Sequence, residues 1–268
     1  MARLRRLDAE LVRRGIARSR EHAGSLVEAG LVSVAGRLAT KPATQVDPAA
    51  AILVAADGGD PGYASRGGHK LAGALDHFAA AGLAVDGRRC LDAGASTGGF
   101  TDVLLRRGAA HVLAVDVGYG QLRWELRQDE RVTVLERTNV RELRPEQVAP
   151  APDLVVADLS FISLRLVLPA LVACATPYAD HVLMVKPQFE VGRERLGSGG
   201  VVRDADARAD AVRSVADAAL QLGLGALGVV ASELPGPSGN VEYFLWLRMG
   251  APPLDPDQLE IAVRRGPQ

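Results

Sequence analysis

The chain has 268 residues, 48% of them hydrophobic, which is enough for one large packed domain and a small one and excludes a disordered polymer. Its net charge of -1 points by itself to no partner, and its two cysteines exclude a disulfide framework or a cysteine-built metal site. No apolar run approaches the ~18 residues of a membrane span, and the charged opening MARLRRLDAELVRRG is unlike a leader, so a cytoplasmic protein is expected.

Charge is unevenly distributed along the chain. Residues 1–41 hold nine basic and four acidic side chains, leaving the remainder net negative, which favours an anionic partner on the N-terminal part. In RLRRLDAELVRRG, Leu4, Leu7 and Leu11 make one helical stripe that Gly15 ends. SREHAGSLVEAG predicts a second helix, capped by Ser19, turning Ala23, Leu26 and Val27 inward and stopping at Gly30. LVSVAGRLATKP alternates as strand, turn and strand, with another strand at AAILVA. Two short helices on a small sheet leave Arg5, Arg6, Arg13, Arg14, Arg18, Arg20 and Lys41 outside as a compact basic binding face.

ADGGDPGYASRG, rich in Gly, Asp and Pro, reads as a linker. The expected division is a small domain over residues 1–59, a linker over 60–64, a large domain over 65–250 and a tail over 251–268 with one short amphipathic helix. Beyond the linker, RRCLDAG, HVLAVDVG, RVTVLER, PDLVVADLS and HVLMVKP are apolar strands separated by segments of helical length. That alternation predicts an α/β fold with a parallel, Rossmann-like sheet covered on both faces. LGLGALGVVASEL and NVEYFLWLRM are too close for a crossover helix, so they should pair antiparallel.

CLDAGASTGGFTDVLLRRG is a strand, a glycine-rich turn and a helix start. Gly94, Gly98 and Gly99 permit close backbone approach to a ligand, and Asp116 at the end of the next strand can accept bonds from a ribose diol. A glycine loop alone serves NAD, a sugar nucleotide or packing equally well. Asp92 ahead of the loop would repel a pyrophosphate but suits the ammonium and sulfonium charges of S-adenosylmethionine. Gln121 and Leu122 fit a pocket wall, and Trp124 is expected to pack its helix.

Groups at the carboxyl ends of parallel strands face a common crevice. Asp158 ends VVADLS, Lys186 ends HVLMVKP, and Glu242 opens an antiparallel strand whose start reaches the same edge. Lys70 lies in the first turn of an apolar-striped helix, and geometry alone does not bring it there. Transfer to a ribose 2′-hydroxyl needs a base; Lys186 is assigned that role, with Lys70 orienting and the two carboxylates supporting.

Residues 3 to about 54, above all RLDAELVRRGIARSREHAGSLVEAGLVSVAGR, resemble the S4 domain, which implies contact with structured RNA through phosphates and shape. Residues 65 to about 249 resemble the FtsJ-like ribose 2′-O-methyltransferases through SRGGHKL, LDAGASTGGFT, DVGYGQL, VVADLSFISL, LMVKPQFE and GNVEYFLWL. The resemblance implies a Lys-Asp-Lys-Glu tetrad at Lys70, Asp158, Lys186 and Glu242. It also implies cofactor contacts from the glycine-rich segment, Ser96 included, and from Asp116. The two parts together resemble the TlyA/haemolysin-A-like ribosomal RNA methyltransferases, which implies cytidine 2′-O-methylation of ribosomal RNA within a subunit or ribosome.

A base methyltransferase and a non-catalytic RNA-binding assembly factor are the alternatives. Neither a membrane nor DNA is expected as a partner, the oligomeric state is open, and His69 lacks metal-spaced neighbours. Arg203 is a candidate phosphate contact, and PGPSG (235–239) is either a mobile substrate loop or a tight turn.

Overall fold

The structure is a computed structural model that describes residues 4–28, 31–54, 62–236 and 238–266. It divides into two compact units, Met1–Pro61 and Gly62–Gln268. Gly30, part of the predicted linker and Pro237 lie outside the described residues.

The smaller unit runs β1 (Arg5–Arg6), α1 (Leu7–Arg13), α2 (Arg20–Glu28), β2 (Val32–Val34), β3 (Arg37–Leu38), β4 (Gln45–Val46) and β5 (Ile52–Val54). Strands β3, β2 and β5 form one antiparallel sheet in that order, and β1 pairs with β4. Leu7, Leu11, Ala23 and Val27 are buried together with Val32 and Val46. Leu4 does not extend the helical stripe: Arg5 and Arg6 pair with Val46 and Gln45 as extended chain, which leaves Leu4 55% exposed ahead of the helix. Ser19 Oγ accepts the His22 amide at 3.1 Å, the side-chain bond of an N-terminal cap.

The larger unit opens with α3 (Arg66–Ala79), β6 (Arg89–Ala93), α4 (Gly99–Arg106), β7 (His111–Val115), α5 (Trp124–Arg127) and β8 (Val132–Leu135). It continues with α6 (Pro145–Val148), β9 (Leu154–Ala157), α7 (Leu164–Cys174), β10 (Asp180–Val185) and α8 (Pro187–Glu190). It closes with α9 (Ala205–Gln221), β11 (Leu224–Ala231), β12 (Tyr243–Met249) and α10 (Pro256–Arg265). Its sheet has seven strands in the order β11-β12-β10-β9-β6-β7-β8, parallel from β10 to β8, with β12 antiparallel to both β10 and β11.

Successive side chains of a strand point to opposite faces, and both faces here are covered. Leu91, Val155, Leu183 and Leu245 join one core with residues of α7, α9 and α10. Cys90, Val156, Val182 and Phe244 join the other with residues of α3 and α4. That double covering is why the strands read as unbroken apolar runs. Both cysteines are buried free thiols, and burial pushes Cys90 up to about 12. At the amino end of β10, buried Asp180 accepts from Arg88, Trp246 Nε1 and Arg248 at 2.7–2.8 Å, tying β10 to β12 away from the carboxyl edge.

Candidate active site and basic face

Strand β10 ends at Val185, and Lys186 follows in an extended conformation with Pro187 at the first position of α8. A residue before proline is driven out of the helical region, and proline suits a helix start, so the dipeptide makes the sharp exit. Lys186 Nζ lies 2.6 Å from Asp158 Oδ1 as an ion pair and donates to Ser160 Oγ at 2.9 Å. Asp158 itself follows β9, its amide bonded to the Ala93 carbonyl at 3.0 Å.

A second pair forms beside the first. Lys70 donates to Glu242 Oε2 at 2.6 Å, with both side chains buried. Glu242 immediately precedes β12, opposite the end of β10, where Val185 pairs with Tyr243. Lys70 is the fifth residue of α3, in its second turn rather than the first. One turn earlier on the same helix, a Cβ added to Gly67 would lie 3.6 Å from Asp158 Oδ2, so the start of α3 packs onto the other pair. A Cβ on Gly236 would come 2.7 Å from Glu242 Oε1, so the backbone at Gly236 lies close against that carboxylate. Gly236 N donates to Asn240 O at 2.8 Å and Gly239 N to Gly236 O at 2.9 Å.

The glycine-rich turn adjoins the first pair through Asp158. Gly94 (φ 90°) and Gly98 (φ 97°) occupy the left-handed region, where a side chain is strained. A Cβ on Gly94 would meet the Asp158 carbonyl oxygen at 2.5 Å, one on Gly98 would strike Leu126, and one on Gly99 would strike Ser65 Oγ. Asp116, just past β7, accepts from the amides of Ser96 at 2.8 Å and Gly118 at 2.6 Å. Ser96 Oγ donates to Gln121 Oε1 at 3.3 Å.

Asp92 is fully buried near the end of β6, where Oδ2 accepts from Thr101 Oγ1 at 2.7 Å and Oδ1 has no partner among the described residues. Burial pushes its carboxyl up to about 7 against the Thr101 bond, with Asp158 and Asp116 adding repulsion. The glycines serve close protein contacts, and the orphaned buried carboxylate oxygen of Asp92 beside them fits a small ligand carrying a cation, as S-adenosylmethionine does.

Several expectations need correction. Trp124 does not pack its helix: α5 has only four residues, and Trp124 at its start is 69% exposed. Arg14 is largely withdrawn from solvent, bonded to Glu10 and the Pro48 carbonyl. The other sequence-predicted cations of the smaller unit (Arg5, Arg6, Arg13, Arg18, Arg20 and Lys41) are exposed. Sequence reasoning missed Ser160 and Glu190. Glu190 closes α8 and accepts from the Ser163 hydroxyl at 2.5 Å and the Leu164 amide at 2.7 Å, although burial pushes its carboxyl upward. The hydroxyl two residues past Asp158, and the acid four past Lys186, were the available signals.

Among the described residues no cluster of three or more His, Cys, Asp or Glu side chains could hold a metal, and no helix is long and apolar enough to cross a membrane.

Two protein-family models match the chain: FtsJ-like methyltransferase over residues 63–249 and S4 domain over residues 5–52. The 16S/23S rRNA (cytidine-2′-O)-methyltransferase TlyA of Mycobacterium tuberculosis is 63% identical over 248 residues, 92% of this chain and 91% of that protein. Hemolysin A of Brachyspira hyodysenteriae is 35% identical, with 89% and 97% covered. The solved structure "Putative hemolysin from Streptococcus thermophilus" superposes with a TM-score of 0.76 at 37% identity, covering 99% of this chain and 96% of that one. The likeness thus runs along nearly the full length of these relatives. The chain belongs to the TlyA/haemolysin-A-like family of FtsJ-like methyltransferases with an N-terminal S4 domain.

Proposed function

We propose that this protein transfers a methyl group from S-adenosylmethionine to the ribose 2′-hydroxyl of a cytidine in ribosomal RNA, with Lys186 as the base. The observation that carries the reading is the Asp158–Lys186 ion pair, 2.6 Å across, at the sheet edge where the Asp158 carbonyl packs on Gly94 of the glycine-rich turn. The M. tuberculosis relative's name supports the substrate class.

When bound, S-adenosylmethionine supplies the electrophilic methyl group. Gly94, Ser96, Gly98, Gly99 and Gln121 would line its site, Asp116 would receive its ribose hydroxyls on lone pairs left free by the two amides, and the unpartnered Asp92 oxygen would face its cationic portion. A neutral lysine amine has two N–H bonds and one lone pair. Ser160 Oγ takes one N–H of Lys186, and Asp158 stands against the same nitrogen as an ion-pair partner, which leaves the lone pair of the neutral amine free for the incoming hydroxyl. Lys186 gives up the ammonium proton of the resting ion pair to solvent before the reaction, then accepts the hydroxyl proton as the ribose oxygen attacks, and Asp158 stabilises the ammonium so re-formed. Lys70, held by Glu242, adds a fixed positive charge beside the developing alkoxide. Arg5, Arg6, Arg13, Arg14, Arg18, Arg20 and Lys41 of the smaller unit serve the RNA phosphates, Arg14 mainly by supporting its neighbours.

The test incubates the protein with methyl-labelled S-adenosylmethionine and isolated ribosomal subunits carrying unmodified RNA, then maps the label by nuclease digestion and mass spectrometry. A methylated cytidine ribose is the expected product. Label on a base would replace the proposed nucleophile, and no label on either subunit would favour an RNA-binding role without chemistry.

A further inference from the structure

The smaller unit's basic face is built around two buried acids. Asp8 and Glu10, both on α1, are 4% and 0% exposed. Arg6 grips Asp8 with Nε at 3.1 Å and Nη2 at 2.7 Å, and Arg20 reaches the same carboxylate at 3.0 Å. Arg13 grips Glu10 in the same two-pronged way, Arg14 adds a bond at 2.8 Å, and Arg5 stands 4.0 Å away. The guanidinium bonds hold both acids far down, Asp8 through Arg6 first and Glu10 through Arg13 first, each to about 2. Both are therefore carboxylates at any working pH.

We infer that Asp8 and Glu10 are positioning residues that hold the arginine forks in a fixed array for RNA phosphates, so that two acids on a basic face strengthen the binding of a polyanion. The inference rests on reading this unit as RNA-binding. Bulk charge argues the opposite, since each carboxylate repels phosphate. Geometry argues for it. In Arg6 and Arg13 the acid takes the Nε–Nη2 edge, and the Nη1 group has no protein partner among the described residues. A planar fork pinned along one edge presents the other for paired phosphate bonds. A free arginine must be ordered when it binds, whereas these are ordered beforehand. Arg14 anchors the array from behind, linking Glu10 to the Pro48 carbonyl.

The experiment compares the full-length protein with Asp8→Asn and Glu10→Gln for binding to RNA from isolated ribosomal subunits, and records arginine Nε–Hε resonances of each. Releasing two forks is expected to weaken binding about ten-fold even though each substitution makes the face more positive. In Asp8→Asn the Arg6 Nε–Hε signal should lose its bonded shift while the backbone amides of α1 keep their dispersion, a selective change that general unfolding would not produce. Binding as tight as wild type, or tighter, in a folded variant overturns the inference. Should Asp8→Asn unfold the unit, the comparison is read on Glu10→Gln, where Arg13 and Arg14 are the reporters. Wild-type protein that does not bind the RNA overturns the underlying RNA reading instead, a result distinct from tight binding that ignores the acids.

Discussion

Lys70 and Glu242 stand 172 residues apart in sequence and meet through a 2.6 Å bond, both side chains shut off from solvent. Removing one partner strands the other charge in the interior, which typically costs about 3–5 kcal/mol. Glu242→Ala is therefore expected to lower stability by about that amount in urea titrations, besides abolishing methyl transfer. The double substitution Lys70→Met with Glu242→Leu should recover much of the stability and none of the activity. A Glu242→Ala protein as stable as wild type would show that Lys70 finds water or another anion.

Lys186 and Ser160 make separable predictions. Lys186→Met removes the base and should lower the single-turnover rate at saturating RNA and cofactor by at least about a hundred-fold. Ser160→Ala leaves the base but loosens its aim, and a loss of about ten-fold is expected, with cofactor affinity unchanged in calorimetry. Equal rates for Ser160→Ala and wild type would assign the whole orientation of Lys186 to Asp158.

Asp92 predicts a pH dependence of defined sign. With its folded carboxyl raised to about 7 by burial, against 3.8 as the ordinary value, the folded chain keeps a proton that the unfolded chain releases across that interval. Its contribution to stability therefore declines as pH rises from about 4 to about 7 and is level above. Asp92→Asn should flatten that part of a stability-against-pH curve. A cation seated against Asp92 favours the ionised form, so S-adenosylmethionine binding should release a proton below pH 7 and tighten toward neutrality. Calorimetry in two buffers of different ionisation enthalpy reads the proton directly; no release in the wild-type protein would move the cationic end of the cofactor elsewhere.

Gly94→Ala places a Cβ 2.5 Å from the Asp158 carbonyl at a φ of 90°, so it is doubly unfavourable. The expected result is a loss of stability of about 1–3 kcal/mol and displacement of Asp158 from Lys186. Thermal melts and the methyl-transfer rate check the two effects, and a fully active, fully stable variant would contradict the close approach.

The parallel sheet and the antiparallel sense of β12 could be read from apolar runs and from the shortness of the loop before Glu242, whereas the order of the strands could not, because covering on both faces makes every strand read alike. That reasoning brought Asp158, Lys186 and Glu242 to one edge. It left Lys70 out, since a helical stripe says which face is buried but not which strand end the helix passes. The hydroxyl of Ser160 stood two residues past Asp158, but its aim could not be read for a related reason: a loop residue's direction is set by backbone angles that its neighbours do not encode. Asp8 and Glu10 were counted as charges because nothing local distinguishes an acid turned inward from one in water. Trp124 shows the converse error, an aromatic residue credited with burial on helical spacing although its helix is one turn long.

The segment from Asp158 to Ser163 is tied down at each end by the two residues that bracket α8, Asp158 by Lys186 and Ser163 by Glu190. Between the ties, Phe161 is 91% exposed and held at a φ of 64°. Two short spans of fixed length thus behave like the rungs and rails of a ladder, in which lengthening either rail pulls a rung loose. Inserting or deleting a single residue within 159–162 or 187–189 should be tolerated far less than almost any exchange of side chain there, Phe161 included. The spacing along these two spans is therefore expected to matter more than the identity of the side chains between the ties, which the methyl-transfer rate and thermal melts of one-residue insertions check against those of Phe161→Ala.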